Sequence, residues 1–171
     1  HECYFMIEQL ATRGKTFSDQ TGRFPVTSSK GNKYIMIMYS YDANAILGEP
    51  MKSRTEDEIL RAFSQLNTYL ADRGFTPKWH RLDNECPKTF KKYMTKEGIN
   101  YQLVPPHIHR RNSAEKAIGT FKDHFIAGLA SVDPKMTLHL WCGLLPHAFM
   151  TLNLLRQSRS NPHLSAYAAL E

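Results

Sequence analysis

Three acidic residues stand where they could do chemistry together. Asp19 lies within "KTFSDQ", Asp83 directly follows "WHRL", and Glu115 comes three residues after Asn112 in "NSAEK". Converging carboxylates repel one another, so a cation normally holds them together. Carboxylate oxygens suit Mg²⁺ or Mn²⁺, and two such ions roughly 4 Å apart can activate a water or hydroxyl and stabilise the leaving oxygen of a phosphodiester. The residue types therefore allow metal-assisted phosphodiester chemistry.

Each acid also has a purely structural interpretation. Asp19 could cap the turn that begins with "DQTG", and Asp83 could start the "DNECP" loop. Glu115 could complete a capping box with Asn112, and a carboxylate in a first helical turn also complements the helix dipole. Taken singly, the acids favour these interpretations, and only their joint placement favours chemistry.

Hydrophobic patterning predicts the elements that would position these acids. Strands are predicted within "GKTFSDQTGRFP", "KYIMIMYSYD", "AILGEPM", "TPKWHRLD" and "INYQLVP", with a turn at "SYDAN". Apolar residues at helical spacing predict a helix from Thr55 to Arg73, and a shorter helix is predicted before Gly98. With long helices after the last strand, this order predicts an α/β fold with helices covering a mixed sheet. Strand ends and a helix start would then bring the three acids to one edge of the sheet.

Size and composition fit one ordinary globular domain. The chain has 171 residues, of which 42% are hydrophobic, enough for a substantial core. The three cysteines, Cys3, Cys86 and Cys142, are too far apart in sequence for a zinc-binding pair. Their odd number gives no natural disulfide framework, so we expect reduced intracellular thiols. No N-terminal segment has the order of residues typical of a signal peptide.

The segment 136–155 is a charge-free run of membrane-spanning length. His139, Pro146, His147 and Asn153 interrupt it, so the run predicts a largely buried helix that could also face a partner chain. No membrane association is expected.

Positive charge is concentrated in one part of the chain. The formal net charge is +6, and the segment from Arg73 to Lys122 holds eleven basic and four acidic residues. Such a field suggests a polyanionic partner such as nucleic acid, although a solvated basic face is a common alternative.

The helix predicted after Asn112 offers a surface for such a polyanion. An apolar stripe of Ala114, Ile118, Phe121 and Phe125 should face the core. Glu115, Gly119 and Lys122 share another face, so Lys122 could reach a phosphate next to a metal held by Glu115. The remaining predicted phosphate or nucleic-acid contacts flank the same site: Lys116, Arg110, Arg111 and Asn112. For the two arginines, a solvated loop is the alternative, and His107 and His109 are predicted as loop residues because they lack cysteine partners for zinc.

These motifs together resemble the catalytic core of retroviral and retrotransposon integrases, the DDE group with a ribonuclease H-like fold, and the Ty1/copia type most. The matching segments are "SDQTGRFPVTSSKGNKYIMIMYSYD", "HRLDNE", "RRNSAEKAIGTFK" and "LNLLRQSRSNPHLSAYAAL". The resemblance runs from about Gly14 to Leu170. It implies a core domain over residues 14–171, with 1–13 as a linker or the tail of an upstream segment.

The resemblance implies a function and a set of partners. Asp19, Asp83 and Glu115 would be both the catalytic residues and the ligands of two Mg²⁺ or Mn²⁺ ions. A metal-activated water or 3′-hydroxyl would attack a phosphodiester without a covalent enzyme intermediate, giving 3′-end processing and strand transfer of element DNA into target DNA. The family also implies a homo-oligomer, at least a dimer, that acts in the nucleus after the element particle assembles in the cytoplasm.

The sequence departs from the family pattern in two places. The second motif reads "DNECPKTF", without the usual glycines and acidic-aromatic pair, and 31 residues separate Asp83 from Glu115, somewhat fewer than usual. A shorter catalytic loop accounts for the spacing, because loops tolerate deletions. Two alternatives stay open: a stand-alone ribonuclease H-like nuclease or transposase, and a domesticated, nonenzymatic DNA-binding or assembly domain.

Overall fold

The structure is a computed structural model and describes residues 13–82, 87–103 and 113–171. Its strands are β1 (Lys15–Gln20), β2 (Tyr34–Ser40), β3 (Ala45–Met51), β4 (Trp79–Leu82) and β5 (Asn100–Leu103). Its helices are α1 (Glu56–Asp72), α2 (Lys88–Lys96), α3 (Ser113–Ala130), a 3₁₀ helix (Leu138–Leu144), α4 (Leu145–Leu154) and α5 (Ala166–Leu170). The predicted order of strands and helices up to β5 is confirmed.

The five strands form one mixed sheet in the order β3-β2-β1-β4-β5. β1 is antiparallel to β2, with Asp19 opposite Ile37, and β2 is antiparallel to β3. β1 is parallel to β4, with Phe17 opposite Arg81, and β4 is parallel to β5. β1 therefore lies at the centre of the sheet, and the predicted mixed sheet is confirmed.

Helices cover both faces of the sheet and divide the core in two. Ile35 and Ile37 of β2 pack with α3 and α4, whereas Met36 and Met38 pack with α1 and α2. Side chains alternate along a strand, so a continuous apolar run such as "IMIM" fits a strand buried on both faces. The run of apolar residues in β2 thus indicates helices on both sides.

Two contacts fix α4 to the edge strand β3. The Asn153 side-chain amide donates a hydrogen bond to the Ile46 carbonyl (2.8 Å) and its oxygen accepts one from the Ile46 N–H (2.9 Å). Gly48 lies under the Phe149 ring, where a Cβ atom would come within 2.2 Å of Phe149 Cζ. Asn153 therefore satisfies the backbone of an edge strand, and Gly48 allows the close approach of the helix.

The charge-free segment 136–155 does not form the single, largely buried helix that was predicted. It forms the 3₁₀ helix and then the shorter α4, with Pro146 in the first turn, where its missing N–H costs no helical hydrogen bond. Trp141 is buried, but Leu138 and Leu155 are exposed. Only α3 among the helices described after β5 is long, so the prediction of several long helices there was also wrong.

A membrane span is not among the described elements. None of the helices within residues 13–82, 87–103 and 113–171 is both long and apolar enough to cross a bilayer.

Candidate functional site

Asp19 lies on the face of the sheet that α3 covers. Phe17, two residues earlier, packs in one cluster with Ile118 and Phe121 of α3. Because side chains alternate along a strand, Asp19 belongs to the same face as Phe17. Asp19 is half-buried, and its Oδ1 accepts a hydrogen bond from the Gln20 N–H at 2.7 Å. The carboxylate therefore sits near the end of the central strand, beneath the long helix.

Glu115 lies in the first turn of α3 and is exposed. The helix is held on the sheet by its buried face, and the predicted apolar stripe is confirmed at Ile118, Phe121 and Phe125. Thr21, just beyond Asp19, lines the same cavity as Phe121. The end of β1 thus runs beside α3, and both carboxylates belong to the same side of the sheet.

The second predicted face of α3 is open to solvent. Glu115, Gly119 and Lys122 are all exposed, and Lys116 is exposed next to Glu115. A Cβ atom on Gly119 would meet nothing within 4 Å, so there is open space next to the helix at this residue, between the acid and Lys122. The geometry allows one extended anion to lie along this face.

Several predicted site residues lie outside the described residues. They are Asp83, Arg110, Arg111 and Asn112, together with His107 and His109. β4 ends immediately before Asp83, and its residue Arg81 stands opposite Phe17 of β1. Among the residues that the structure describes, no group of three histidines, cysteines or acids is placed to hold a metal. Only two of the three predicted ligands belong to that part of the chain.

The two described candidate ligands fit a hard divalent cation. Asp19 and Glu115 offer carboxylate oxygens, which Mg²⁺ and Mn²⁺ prefer over thiolates or imidazoles. The partial burial of Asp19 makes its charge less screened than that of a fully solvated acid. The two carboxylates are therefore compatible with Mg²⁺ or Mn²⁺ in their donor chemistry.

A buried histidine that the sequence analysis missed joins β1 to β4. His80 is only 1% exposed, with Nδ1 2.7 Å from Thr16 Oγ1 and Nε2 2.9 Å from Ser18 Oγ. Burial lowers the pKa of His80 to about 3, so the ring is neutral and donates through one nitrogen while accepting through the other. By alternation, Thr16 and Ser18 face away from Asp19. The bridge therefore supports the candidate site from the opposite face, and two hydroxyls at alternate positions of a buried strand were its only signal in the sequence.

Arg54 is a second residue that the sequence analysis missed. Its guanidinium donates a hydrogen bond to the Thr21 carbonyl at 2.7 Å and lies 4.9 Å from the centre of the Tyr34 ring. It thereby holds the chain just after Asp19 and adds positive charge at the end of β1.

Comparisons with known proteins support the fold. No protein-family model matches the sequence, and no curated protein sequence matches it. A structure of the simian T-cell lymphotropic virus intasome in complex with PP2A regulatory subunit B56 gamma matches 93% of this chain, with a TM-score of 0.72 and 15% identity. This chain spans 54% of the matched intasome chain.

Two isolated catalytic cores match over nearly their whole length. The HTLV-2 integrase catalytic core domain in complex with magnesium aligns with 93% of this chain and 97% of its own, with a TM-score of 0.66 and 18% identity. The BIV integrase catalytic core domain aligns over 90% and 91%, with a TM-score of 0.61 and 16% identity. At these identities the likeness shows the fold alone: the chain has the ribonuclease H-like fold of retroviral integrase catalytic cores.

Proposed function

We propose that this chain is the catalytic core of a retrotransposon-type integrase, which processes the 3′ ends of element DNA and joins them to target DNA. The observation that carries the proposal is the placement of Asp19 and Glu115 on one side of a ribonuclease H-like sheet, from its central strand and its covering helix. The order of the three acidic motifs, which resembles the Ty1/copia type, supports the retrotransposon assignment.

Each site residue has a defined role in this proposal. Asp19, Asp83 and Glu115 hold two Mg²⁺ or Mn²⁺ ions, and the HTLV-2 core solved with magnesium supports this choice of metal. When bound, the metal supplies activation of the attacking water or 3′-hydroxyl and stabilisation of the leaving oxygen. The carboxylates position this chemistry and must be ionised to do so.

Basic residues beside the acids bind the DNA backbone. Lys122, exposed on the same face as Glu115, binds a phosphate near the reacting phosphodiester. Lys116, Arg110, Arg111 and Asn112 extend this contact. Binding through these residues is salt-sensitive because they neutralise phosphate charges. It is weakly sequence-specific because phosphates carry no sequence information directly.

The partners are the two DNA substrates and further copies of the chain. The HTLV-2 core was solved in a trimeric and a dimeric form, which supports a homo-oligomer of at least two copies here. A nuclear site of action, after particle assembly in the cytoplasm, follows from the family resemblance.

Substitution of the acids tests the proposal. We expect each of Asp19→Asn, Asp83→Asn and Glu115→Gln to lower Mn²⁺ binding and Mn²⁺-dependent DNA cleavage by at least about a hundredfold. Substitutions of residues that only hydrogen-bond the metal ligands already cost about 10- to 100-fold in metal affinity or activity. Asp123→Asn, an exposed acid on another side of α3, is the matched control and should leave both unchanged. Circular dichroism and urea denaturation would verify that all four variants fold.

Three results would contradict parts of the proposal. Retained cleavage by the Asp83→Asn protein, under conditions where the parent is active, would refute the site assignment. A nicked product that never becomes a joined strand would favour a stand-alone nuclease. Salt-dependent DNA binding without any Mg²⁺- or Mn²⁺-dependent cleavage would favour the nonenzymatic binding domain.

A further inference from the structure

An apolar cavity opens next to the candidate site. It has a volume of about 340 Å³ and lies between the turn after β1 (residues 21–26), the second half of α3 and the start of the 3₁₀ helix. Its wall includes Phe24, whose ring stacks on Trp141 with centroids 4.4 Å apart and meets the edge of Phe125 at 6.2 Å. Ile126 lines it and is 64% exposed. Stacked aromatic rings thus form the inner wall of the cavity, and the exposed Ile126 side chain lies at its opening.

The charge at the rim of this cavity is positive. Arg23, from the turn, and Lys122, from α3, both line it and are exposed. No acid occurs among the described residues that line it. The cavity therefore combines apolar walls with cations at its opening, a combination that suits a group that is flat and apolar but attached to an anion.

The cavity continues the face of α3 that carries Glu115. Glu115, Lys122 and Ile126 follow the spacing i, i+7, i+11, which places them on one stripe of a helix. At 1.5 Å per residue, Lys122 lies roughly 10 Å and Ile126 roughly 16 Å along the helix from Glu115. With about 3.4 Å per nucleotide in a stacked strand, the cavity is within about five nucleotides of a bond cleaved at Glu115.

We propose that this cavity receives one unpaired base of the DNA substrate while Lys122 and Arg23 bind the phosphates beside it. The inference rests on the proposed function and adds a binding site for a DNA end to it. The walls are almost wholly apolar, so the base is held by stacking and apolar contact rather than by hydrogen bonds to its edge, and any base is accepted. A volume at the lower end of small-ligand pockets suits one base better than a segment of protein.

An unpaired end makes this site useful for strand transfer. Extruding a base from a paired duplex costs free energy, and the cost is least where the strand is already single. A site that binds an unpaired base therefore prefers frayed or processed ends to the interior of a duplex. It would hold the strand near the acids without reading its sequence.

Neutral substitutions at exposed aliphatic residues test the inference. Ile126→Gln changes the side chain at the opening of the cavity. Leu155→Gln is the matched control: Leu155 directly follows α4, away from the cavity, and is 80% exposed. Affinities of both variants and the parent would be measured by fluorescence anisotropy for a fully paired duplex and for the same duplex with five unpaired nucleotides at one end.

The expected result is specific to unpaired ends. Ile126→Gln should weaken binding of the unpaired-end DNA about three- to tenfold, part of the one-base stacking contribution, and leave the fully paired duplex unchanged. Leu155→Gln should change neither. The fluorescence of 2-aminopurine, placed at each unpaired position in turn, should change on binding at one or two adjacent positions, and this change should be lost with Ile126→Gln.

The outcomes separate this inference from the proposed function. If the parent binds and cleaves DNA but Ile126→Gln matches Leu155→Gln on both substrates, the base site is refuted and the catalytic assignment stands. If Ile126→Gln changes only self-association in sedimentation, the cavity is a contact between copies and the inference is likewise wrong. If the parent binds no DNA at all, both proposals fail.

Discussion

The buried His80 makes the stability of the fold depend on pH. His80 bridges Thr16 and Ser18 of β1 from β4, and burial lowers its pKa to about 3. An unfolded histidine has a pKa of about 6.5, so below that pH the unfolded chain binds a proton that the native state does not. This contribution to stability is therefore complete above about pH 6.5 and is lost progressively as the pH falls toward 3.

The magnitude follows from the two pKa values. Between pH 7.5 and pH 5.0, an unfolded group of pKa 6.5 gains about 2 kcal/mol from protonation, whereas a native group of pKa about 3 gains almost none. The free energy of unfolding should therefore fall by about 2 kcal/mol from this residue alone. Carboxylates add little over that range because most titrate below it.

The assay compares pH dependence rather than absolute stability. Urea denaturation at pH 7.5 and 5.0 would be measured for the parent, for His80→Gln and for His163→Gln, an exposed histidine that serves as the matched control. His80→Gln should be less stable at pH 7.5, but its loss on acidification should be about 2 kcal/mol smaller than that of the parent. His163→Gln should lose as much as the parent.

Two results would refute this reasoning. One is an equal loss of stability on acidification in the parent and in His80→Gln. The other is a His80 ring resonance that titrates near pH 6.5 in the native protein by NMR. Either would mean that burial does not keep His80 neutral in the folded state over this pH range.

Two further predictions concern packing and the DNA surface. Gly48→Ala should destabilise the protein by about 1–3 kcal/mol, because the added Cβ would overlap the Phe149 ring. Gly128→Ala should stabilise it by about 0.5–1 kcal/mol, because Gly128 has open space around it and lies within α3; urea denaturation measures both changes. Lys122→Gln should weaken DNA binding and reduce the slope of log affinity against log salt concentration by about 1. Lys135 is also exposed, and Lys135→Gln should change neither quantity. An equal slope for the two variants would exclude a phosphate contact at Lys122.

Much of the fold could be predicted from local patterns. The five strands follow from short apolar, aromatic or β-branched runs, and α1 follows from apolar residues at helical spacing. Gly74, the residue directly after the predicted helix from Thr55 to Arg73, has a positive φ of 81° in the structure, as is common just after a helix end. Such features involve neighbours in sequence, and they are therefore readable without knowledge of the tertiary structure.

The segment 136–155 shows where local patterns fail. Its lack of charge predicted one buried helix, but a charge-free run does not reveal which of its residues will meet other elements. In the fold, Trp141 packs against Phe24 and its indole N–H donates to the Val26 carbonyl at 2.9 Å, while Leu138 is left exposed. Contacts with the turn after β1 decided the burial of this segment.

For the candidate site, the sequence by itself determined the types of the acids, the position of Asp19 near a strand end and the shared helical face of Glu115 and Lys122. Only the tertiary structure decided that Asp19 lies on the face covered by α3, and that His80 supports that strand from the other side. Alternation along a strand determines which residues share a face of the sheet, and this can be predicted from the sequence. Which of the two faces packs against which helix depends on segments that are distant in sequence. The hydroxyl partners of His80 lie more than sixty residues away along the chain, beyond the reach of any local pattern.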